Sequence, residues 1–324
     1  MIRNVMPRTR LRQAAKSAPA PDRIYNFHQT RRGMDMTGIF RRLGRLFDPQ
    51  SGRAVILPLD HGVGEGMLPG LEAISVLLGM LDGRNVQGVV LNKGPARVHG
   101  ADLPLPVNVI VQLSGGTKHA LPPYGRTVVC SVGEALRLGA DAVSLQINVG
   151  NDLEERMLAD FGAMADEAHL AGLPVFAIIA PRGGHIVNEM DPSLISHCIR
   201  LGAELGADLI GVPYSGDPAS FAEAVDASAT PVLVTGGPGR GDFPRFLSAM
   251  DEALRCGAAG LCVGRNIFQN SDPGEALELL VDLVHGLRAG DPSFTADADS
   301  APESENQPAP AADAEADTGD APRE

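Results

Sequence analysis

Eight short runs rich in Val, Ile and Leu recur between residues 55 and 263, each followed by a polar or glycine loop and then by an amphipathic helical stretch. They are Val55–Leu59, Gly88–Leu91, Asn108–Leu113, Ala142–Ile147, Pro174–Ile179, Asp208–Val212, Pro231–Thr235 and Gly260–Val263. Strands that are apolar on both faces need cover on both, and the intervening helices supply it, so the pattern specifies a parallel sheet packed between helices. Eight such units in about 250 residues is the size of a closed (β/α)8 barrel. The expected fold is therefore α/β, a single TIM barrel over residues 36–289. An open doubly wound sheet usually has fewer strands and carries G-x-G-x-x-G after its first strand; neither feature holds here. Local signals agree with the barrel. Ser131 to Glu134 reads as a capping box, Asp217-Pro218 as an N-cap with proline at the first helical position, and the glycines of the repeated LGAD and CGAAG segments as helix ends before the next strand. A basic amphipathic helix is expected over Met36–Phe47 (MTGIFRRLGRLF), ahead of the first strand.

Charge is unevenly spread over the 324 residues, whose formal net charge is −13. Residues 1–35 carry +6 and residues 291–324 carry −9, which leaves −10 for the middle of the chain. An acidic body is a poor binder of a phosphate backbone, so no nucleic-acid partner is expected. Residues 1–35 and 290–324 lack the apolar surface that offsets ordering entropy and are expected to be a disordered basic arm and a disordered acidic tail. Cys130, Cys198, Cys256 and Cys262 stand singly, without zinc-like or disulfide-like spacing, which fits a reducing compartment. No run of 18 apolar residues and no apolar signal core occur, so a cytoplasmic protein without a membrane partner is expected.

In a barrel of this kind the chemistry stands at the C-terminal ends of the strands. The first run ends in Asp60 and His61, the second in Asn92 and Lys93, and the third opens into Ser114-Gly-Gly-Thr-Lys-His119. The fourth offers Gln146, the fifth Ala180 and Arg182, and the sixth Gly211 to Tyr214; the seventh and eighth end in Gly236-Gly237 and Gly264-Arg265. Glycine loops on two adjacent strand ends, one with an adjoining arginine, are expected to cradle a phosphate through backbone N–H groups. Asp60 is the candidate acid/base, because a carboxylate at a barrel mouth can be partly desolvated and poised to move protons. His61 stands beside it, and Asn92, Ser114, Gln146, Arg182 and Tyr214 are the candidate substrate-pocket residues. A metal site built from His61, His119 and Asp60 is possible by residue type but lacks companions at ligand spacing, so no metal and no cofactor are expected.

The motifs PLDHGV, LNKG, LSGGT, LGADAVSLQINVG, APRGGHIVNEMDP, LGAELGADLI, YSGDPASF, GGP and GAAGLCVGRNIFQ occur in order between Ile39 and His285. In them the chain resembles the barrel aldolases related to archaeal class I fructose-1,6-bisphosphate aldolase, and among these the 2-amino-3,7-dideoxy-D-threo-hept-6-ulosonate synthases. The resemblance implies carbon–carbon bond chemistry on a phosphorylated keto sugar, in an alternative route toward aromatic amino acids, and a homo-oligomer. It also implies a Schiff-base lysine on the sixth strand and an acid/base tyrosine on the fifth. This chain has Gly211 and Ala180 at those positions. A Schiff base needs a primary amine, and the whole chain holds only Lys16, Lys93 and Lys118. Three readings follow: an aldolase or transaldolase whose nucleophile is altered or relocated to Lys93, a non-catalytic sugar-phosphate-binding barrel or regulatory paralogue, and a metal-assisted lyase.

Overall fold

The computed structural model describes residues 36–239 and 241–286. Eight parallel strands close into a barrel in chain order: β1 Ala54–Pro58, β2 Gly88–Asn92, β3 Asn108–Gln112, β4 Ala142–Val149, β5 Val175–Pro181, β6 Leu209–Pro213, β7 Val232–Thr235 and β8 Gly260–Cys262. β8 returns to β1, with Ile56 opposite Cys262 on one side and Gly88 of β2 on the other. All eight expected runs are strands. β4 and β5 run two residues further than their apolar stretches, so Asn148, Ala180 and Pro181 belong to the barrel wall. The expected arm (1–35) and tail (290–324) lie outside the described residues.

Alternation along the strands divides the core. Ile56, Val90, Ile110, Phe176, Leu209, Leu233 and Cys262 fill the barrel interior, while Val55, Leu57, Val89, Val111, Ile210, Val212 and Val234 face the helices. Burying each large side chain of these layers contributes roughly 1.5–3 kcal/mol. The expected basic helix spans Thr37–Arg45. With the turn after it, it places Leu43, Leu46 and Phe47 against the interior layer and forms the barrel floor. Its Arg45 Nη2 reaches Asp141 at 2.5 Å, and the Arg45 carbonyl accepts from Asn108 Nδ2 at 3.0 Å, both next to the N-terminal ends of strands. The helix is thus a structural plug at the end opposite the mouth.

The predicted caps form with one difference. Asp217 Oδ1 accepts from Ser220 N–H (2.9 Å) and Ser131 Oγ from Glu134 N–H (3.1 Å). The return half of the capping box is missing because the Glu134 carboxylate takes Lys93 and Arg97 instead. Glycine is obligatory at Gly260, where φ is +150° and a Cβ would stand 2.0 Å from the Ala54 carbonyl oxygen, so that β8 can close against β1.

Candidate functional site

At the C-terminal mouth of the barrel lies a cleft of about 220 Å³ lined on one side by the first turn, Asp60 and His61, and by the neighbouring Gly236, Gly237, Gly264 and Arg265. Strand alternation aims Asn92, Gln112, Ser114 and Gln146 into it from β2 to β4, and Ile178, Ala180 and Pro213 from β5 and β6. Two of the expected pocket residues brace the wall. Ser114 Oγ accepts from Gln146 N–H (2.9 Å) and from Gln112 Nε2 (3.0 Å), and Asn92 Nδ2 donates to the Asp60 carbonyl at 2.7 Å, which fixes the turn that presents Asp60.

His61 is largely buried against the edge of Phe268 (ring centroids 5.3 Å apart) and faces the Gly264 backbone so closely that a Cβ there would stand 2.8 Å from its Cε1. Its Nδ1 lies 3.8 Å from Asp60 Oδ1 and is buried without a hydrogen-bond partner. Burial lowers the imidazole pKa below its ordinary value; Arg265 adds to that, and Asp60 and Glu65 oppose it. At neutral pH the ring is therefore uncharged and able to accept a proton.

The two glycine loops are held together. Asn266 Nδ2 donates to the Gly236 carbonyl at 2.7 Å, and a Cβ at Gly236 would meet the Val263 side chain at 2.9 Å. The N–H of Gly236 is not available to a ligand, contrary to the sequence expectation. It continues the barrel ladder by donating to the Cys262 carbonyl at 3.0 Å. Among the described residues the amides of Gly237, Gly264 and Arg265 take no partner, and Gly237 adopts φ +63°. The Arg265 guanidinium lines the cleft, and its buried Nε has no hydrogen-bond partner. Its pKa is lowered by burial and by the nearby charge of Arg182.

Two expected residues are not brought to the cleft. Lys93 opens the helix Lys93–His99, and its Nζ lies 3.3 Å from Glu134 Oε2, outside the lining of the cleft. Tyr214, just past the end of β6, continues its outward set after Ile210 and Val212. Its hydroxyl donates to Glu252 Oε2 at 2.6 Å, its ring meets Phe221 edge-on, and burial with Glu252 beside it keeps the phenol protonated. Gly211, by contrast, faces inward, where a Cβ would stand 2.9 Å from the Phe176 ring. Phe176 occupies the space a side chain at 211 would need.

Sequence reasoning missed Arg126. A hairpin pairing Ser114–Gly115 with Thr127–Val128 carries it over the mouth. Its Nε donates to Gln146 Oε1 (3.1 Å) and its Nη1 to the carbonyls of Gly116 and Gly125. Those backbones approach closely enough that a Cβ at Gly116 would lie 2.2 Å from the Gly125 oxygen. A lone arginine in a Pro/Gly loop gives no pattern; the polar Gln112, Ser144, Gln146 and Asn148 inside otherwise apolar strands were the available signal. Glu65 and Glu189, the latter 3.6 Å from Arg182 Nε, complete the charged lining. Among the described residues no three His, Cys, Asp or Glu side chains are grouped closely enough to hold a metal ion.

A (β/α)8 barrel with glycine loops and an arginine converging at the ends of β7 and β8, and an Asp-His pair beside them at the end of β1, defines a small-molecule site at the usual end of this fold. Residues 54–270 match the model of the DeoC/LacD family aldolases, and the chain belongs to that family. It is 41% identical over 244 residues (75% of this chain, 89% of the relative) to the 2-amino-4,5-dihydroxy-6-oxo-7-(phosphonooxy)heptanoate synthase of Streptomyces griseus. It is 34% identical over 251 residues (78% and 92%) to 2-amino-3,7-dideoxy-D-threo-hept-6-ulosonate synthase 1 of Archaeoglobus fulgidus. Among solved structures it is similar, with a TM-score of 0.69 and 32% identity over 76% of this chain and 100% of the other, to an archaeal fructose-1,6-bisphosphate aldolase whose catalytic lysine is covalently bound to the carbinolamine intermediate of its substrate.

Proposed function

We propose that this protein binds a phosphorylated keto sugar at the barrel mouth and makes or breaks the carbon–carbon bond next to its carbonyl through an enolate rather than an iminium. One observation carries the reading: the cleft combines the cradle, the Asp60-His61 pair and three guanidiniums, while neither described lysine reaches it. Lys93 is held by Glu134, and Lys118 Nζ donates to the Glu65 carbonyl at 2.9 Å. The phosphate sits on the amides of Gly237, Gly264 and Arg265 and on the Arg265 guanidinium. In cleavage, Asp60 removes the proton of the hydroxyl β to the carbonyl, the bond between the α and β carbons breaks, and its electron pair comes to rest on the carbonyl oxygen. Arg182, whose charge is felt by both Arg126 and Arg265, stands between them and stabilises that oxyanion. Neutral His61 relays the proton back to the α carbon, so no redox partner is needed. The protein is a homo-oligomer of the cytoplasm in this reading, where its four unpaired thiols stay reduced.

The test is intact-mass analysis after sodium borohydride is added with dihydroxyacetone phosphate, alongside an assay for cleavage of a ketose 1-phosphate. Cleavage with no mass gain on the protein is expected; a reduced adduct on Lys93 or Lys118 overturns the enolate route. Gly211 and Ala180, at the positions where the family resemblance implies a lysine and a tyrosine, favour a second reading as a sugar-phosphate-binding barrel. Tight binding without cleavage selects it.

A further inference from the structure

At the end of the barrel opposite the mouth, the turn before β1 meets the end of the last helix, Pro273–His285. Ser51 Oγ lies 2.7 Å from His285 Nδ1, and His285 Nε2 lies 2.9 Å from the Asn85 carbonyl. A carbonyl oxygen only accepts, so in the neutral ring Nε2 carries the hydrogen and Nδ1 keeps its lone pair for the Ser51 hydroxyl. The ring is neutral at pH 7: its side chain is 2% exposed, and burial, helped by the charge of Arg53, lowers its pKa against the opposing pull of the Asn85 carbonyl and Asp48. The serine is held as firmly as the ring. Its N–H and that of Gln50 donate to Asp48 Oδ2 at 2.6 and 3.1 Å, and Asp48 Oδ1 accepts from Asn85 Nδ2 at 3.1 Å. The Ser51 hydroxyl also reaches Asp48, but burial, which would raise the pKa of that carboxyl, is outweighed by the hydrogen bonds from Ser51 and Asn85 that lower it. The imidazole is therefore the stronger base of the two. Asp48 Oδ2 stands 4.0 Å from His285 Nδ1, where it stabilises an imidazolium once one forms. A hydroxyl, a neutral base and a group that orients the base, all within hydrogen-bond reach, are the parts of an activated nucleophile.

We propose that Ser51 is a nucleophile with His285 as its general base, and that it accepts a short acyl group from an activated ester or thioester. Ser51 Oγ attacks the acyl carbonyl carbon while its proton passes to His285 Nδ1, with Asp48 beside the imidazolium. The bond from that carbon to the leaving oxygen or sulfur then breaks, the leaving group takes the proton from Nδ1, and the acyl group stays on Ser51 as an ester. Arg53, whose Nη1 donates to the Val284 carbonyl at 3.1 Å and whose charge reaches His285, supplies positive charge for the oxyanion formed on attack. Ser51 is half-buried, which restricts the acyl chain to a short one. This site shares no residue with the cleft at the mouth and stands or falls independently of the sugar-phosphate reading.

The test treats the full chain at neutral pH with p-nitrophenyl acetate and, separately, with acetyl-coenzyme A, and follows the acetylation of individual serines by peptide mass mapping. In wild type Ser51 is expected to acetylate about 10²-fold or more faster than Ser271, an exposed serine whose hydroxyl donates to Asn270 Oδ1 and has no imidazole as base. His285→Gln is expected to slow the acetylation of Ser51 by about 10²–10⁴. Ser51→Ala is expected to remove the adduct and to leave ketose-phosphate cleavage unchanged. Acetylation of Ser51 by only one of the two reagents supports the nucleophile and assigns the donor as an oxygen ester or a thioester. The proposal is overturned if Ser51 acetylates no faster than Ser271 with either reagent, or if a folded His285→Gln acetylates as fast as wild type. Should His285→Gln fail to fold, the ratio of Ser51 to Ser271 in wild type decides alone.

Discussion

The two halves of the barrel mouth are built differently. From β1 to β4 the lining is polar and cross-braced: Asn92 holds the Asp60 turn, Ser114 ties Gln112 to Gln146, and Gln146 holds Arg126. From β5 to β6 it is smooth, with Ile178, Ala180 and Pro213 at the surface and the Phe176 ring beneath, filling the space beside Gly211. A buried polar network persists when each member is satisfied and the arrangement is useful, whereas a wall rebuilt around a phenyl ring has no room for an amine. The difference separates two jobs that one active site usually combines. The braced half keeps polar groups directed at the cleft, and the half in which the family resemblance places a covalent nucleophile is closed.

Three substitutions would break or sharpen that contrast. Asp60→Asn, on the braced side, is expected to lower the rate of ketose-phosphate cleavage by about 10²–10⁴ with ligand affinity nearly unchanged; cleavage at the wild-type rate would remove Asp60 from the mechanism. Phe176→Ala, on the smooth side, is expected to cost about 3–5 kcal/mol in urea unfolding, because the ring is shared by the interior layer and the Gly211 backbone. A loss near 1 kcal/mol would mean that the interior collapses readily around the gap. Gly211→Lys alone is expected to destabilise by about 1–3 kcal/mol through overpacking against that ring and to gain no borohydride-trappable adduct. Combined with Phe176→Ala it gains room, and trapping by the double variant but not the single would show that the phenyl ring is what closes this half.

The barrel was legible because hydrophobic burial is periodic. Eight apolar runs became eight strands, and even the floor helix was signalled by its basic amphipathic stretch. The lining of the cleft was legible only where backbone geometry leaves a residue-type signature: paired glycines at the ends of β7 and β8, and Asp60-His61 after β1. Tyr214 and Lys93 were misplaced because a strand-end residue can face either side, and one position decides which. Gly211 and Pro213 point in, while Val212 and Tyr214 point out. Arg126 was invisible because its position depends on a hairpin whose closure rests on the close approach of Gly116 to Gly125, a long-range contact without local periodicity.

The smallest expected effect is on pH dependence, and it probes the join between the Asp60-His61 turn and the cradle. In the unfolded chain His61 titrates near its ordinary value of 6.5, and in the folded chain burial lowers that value. Between the two, the unfolded chain binds a proton that the folded chain does not, so the contribution of His61 to stability is complete above pH 6.5 and is lost as the pH falls through and below it. His285, also lowered by burial and bonded to Ser51 Oγ and the Asn85 carbonyl near the floor, acts with the same sign. Unfolding free energy measured from pH 7.5 to 5.5 is thus expected to decline by at most about 1.4 kcal/mol per pH unit for each histidine. His61→Gln should remove one part of the slope and His285→Gln the other. An unchanged slope in His61→Gln would show that the ring already accepts its proton at the mouth without strain, and with that the neutral relay between Asp60 and the cradle would be lost.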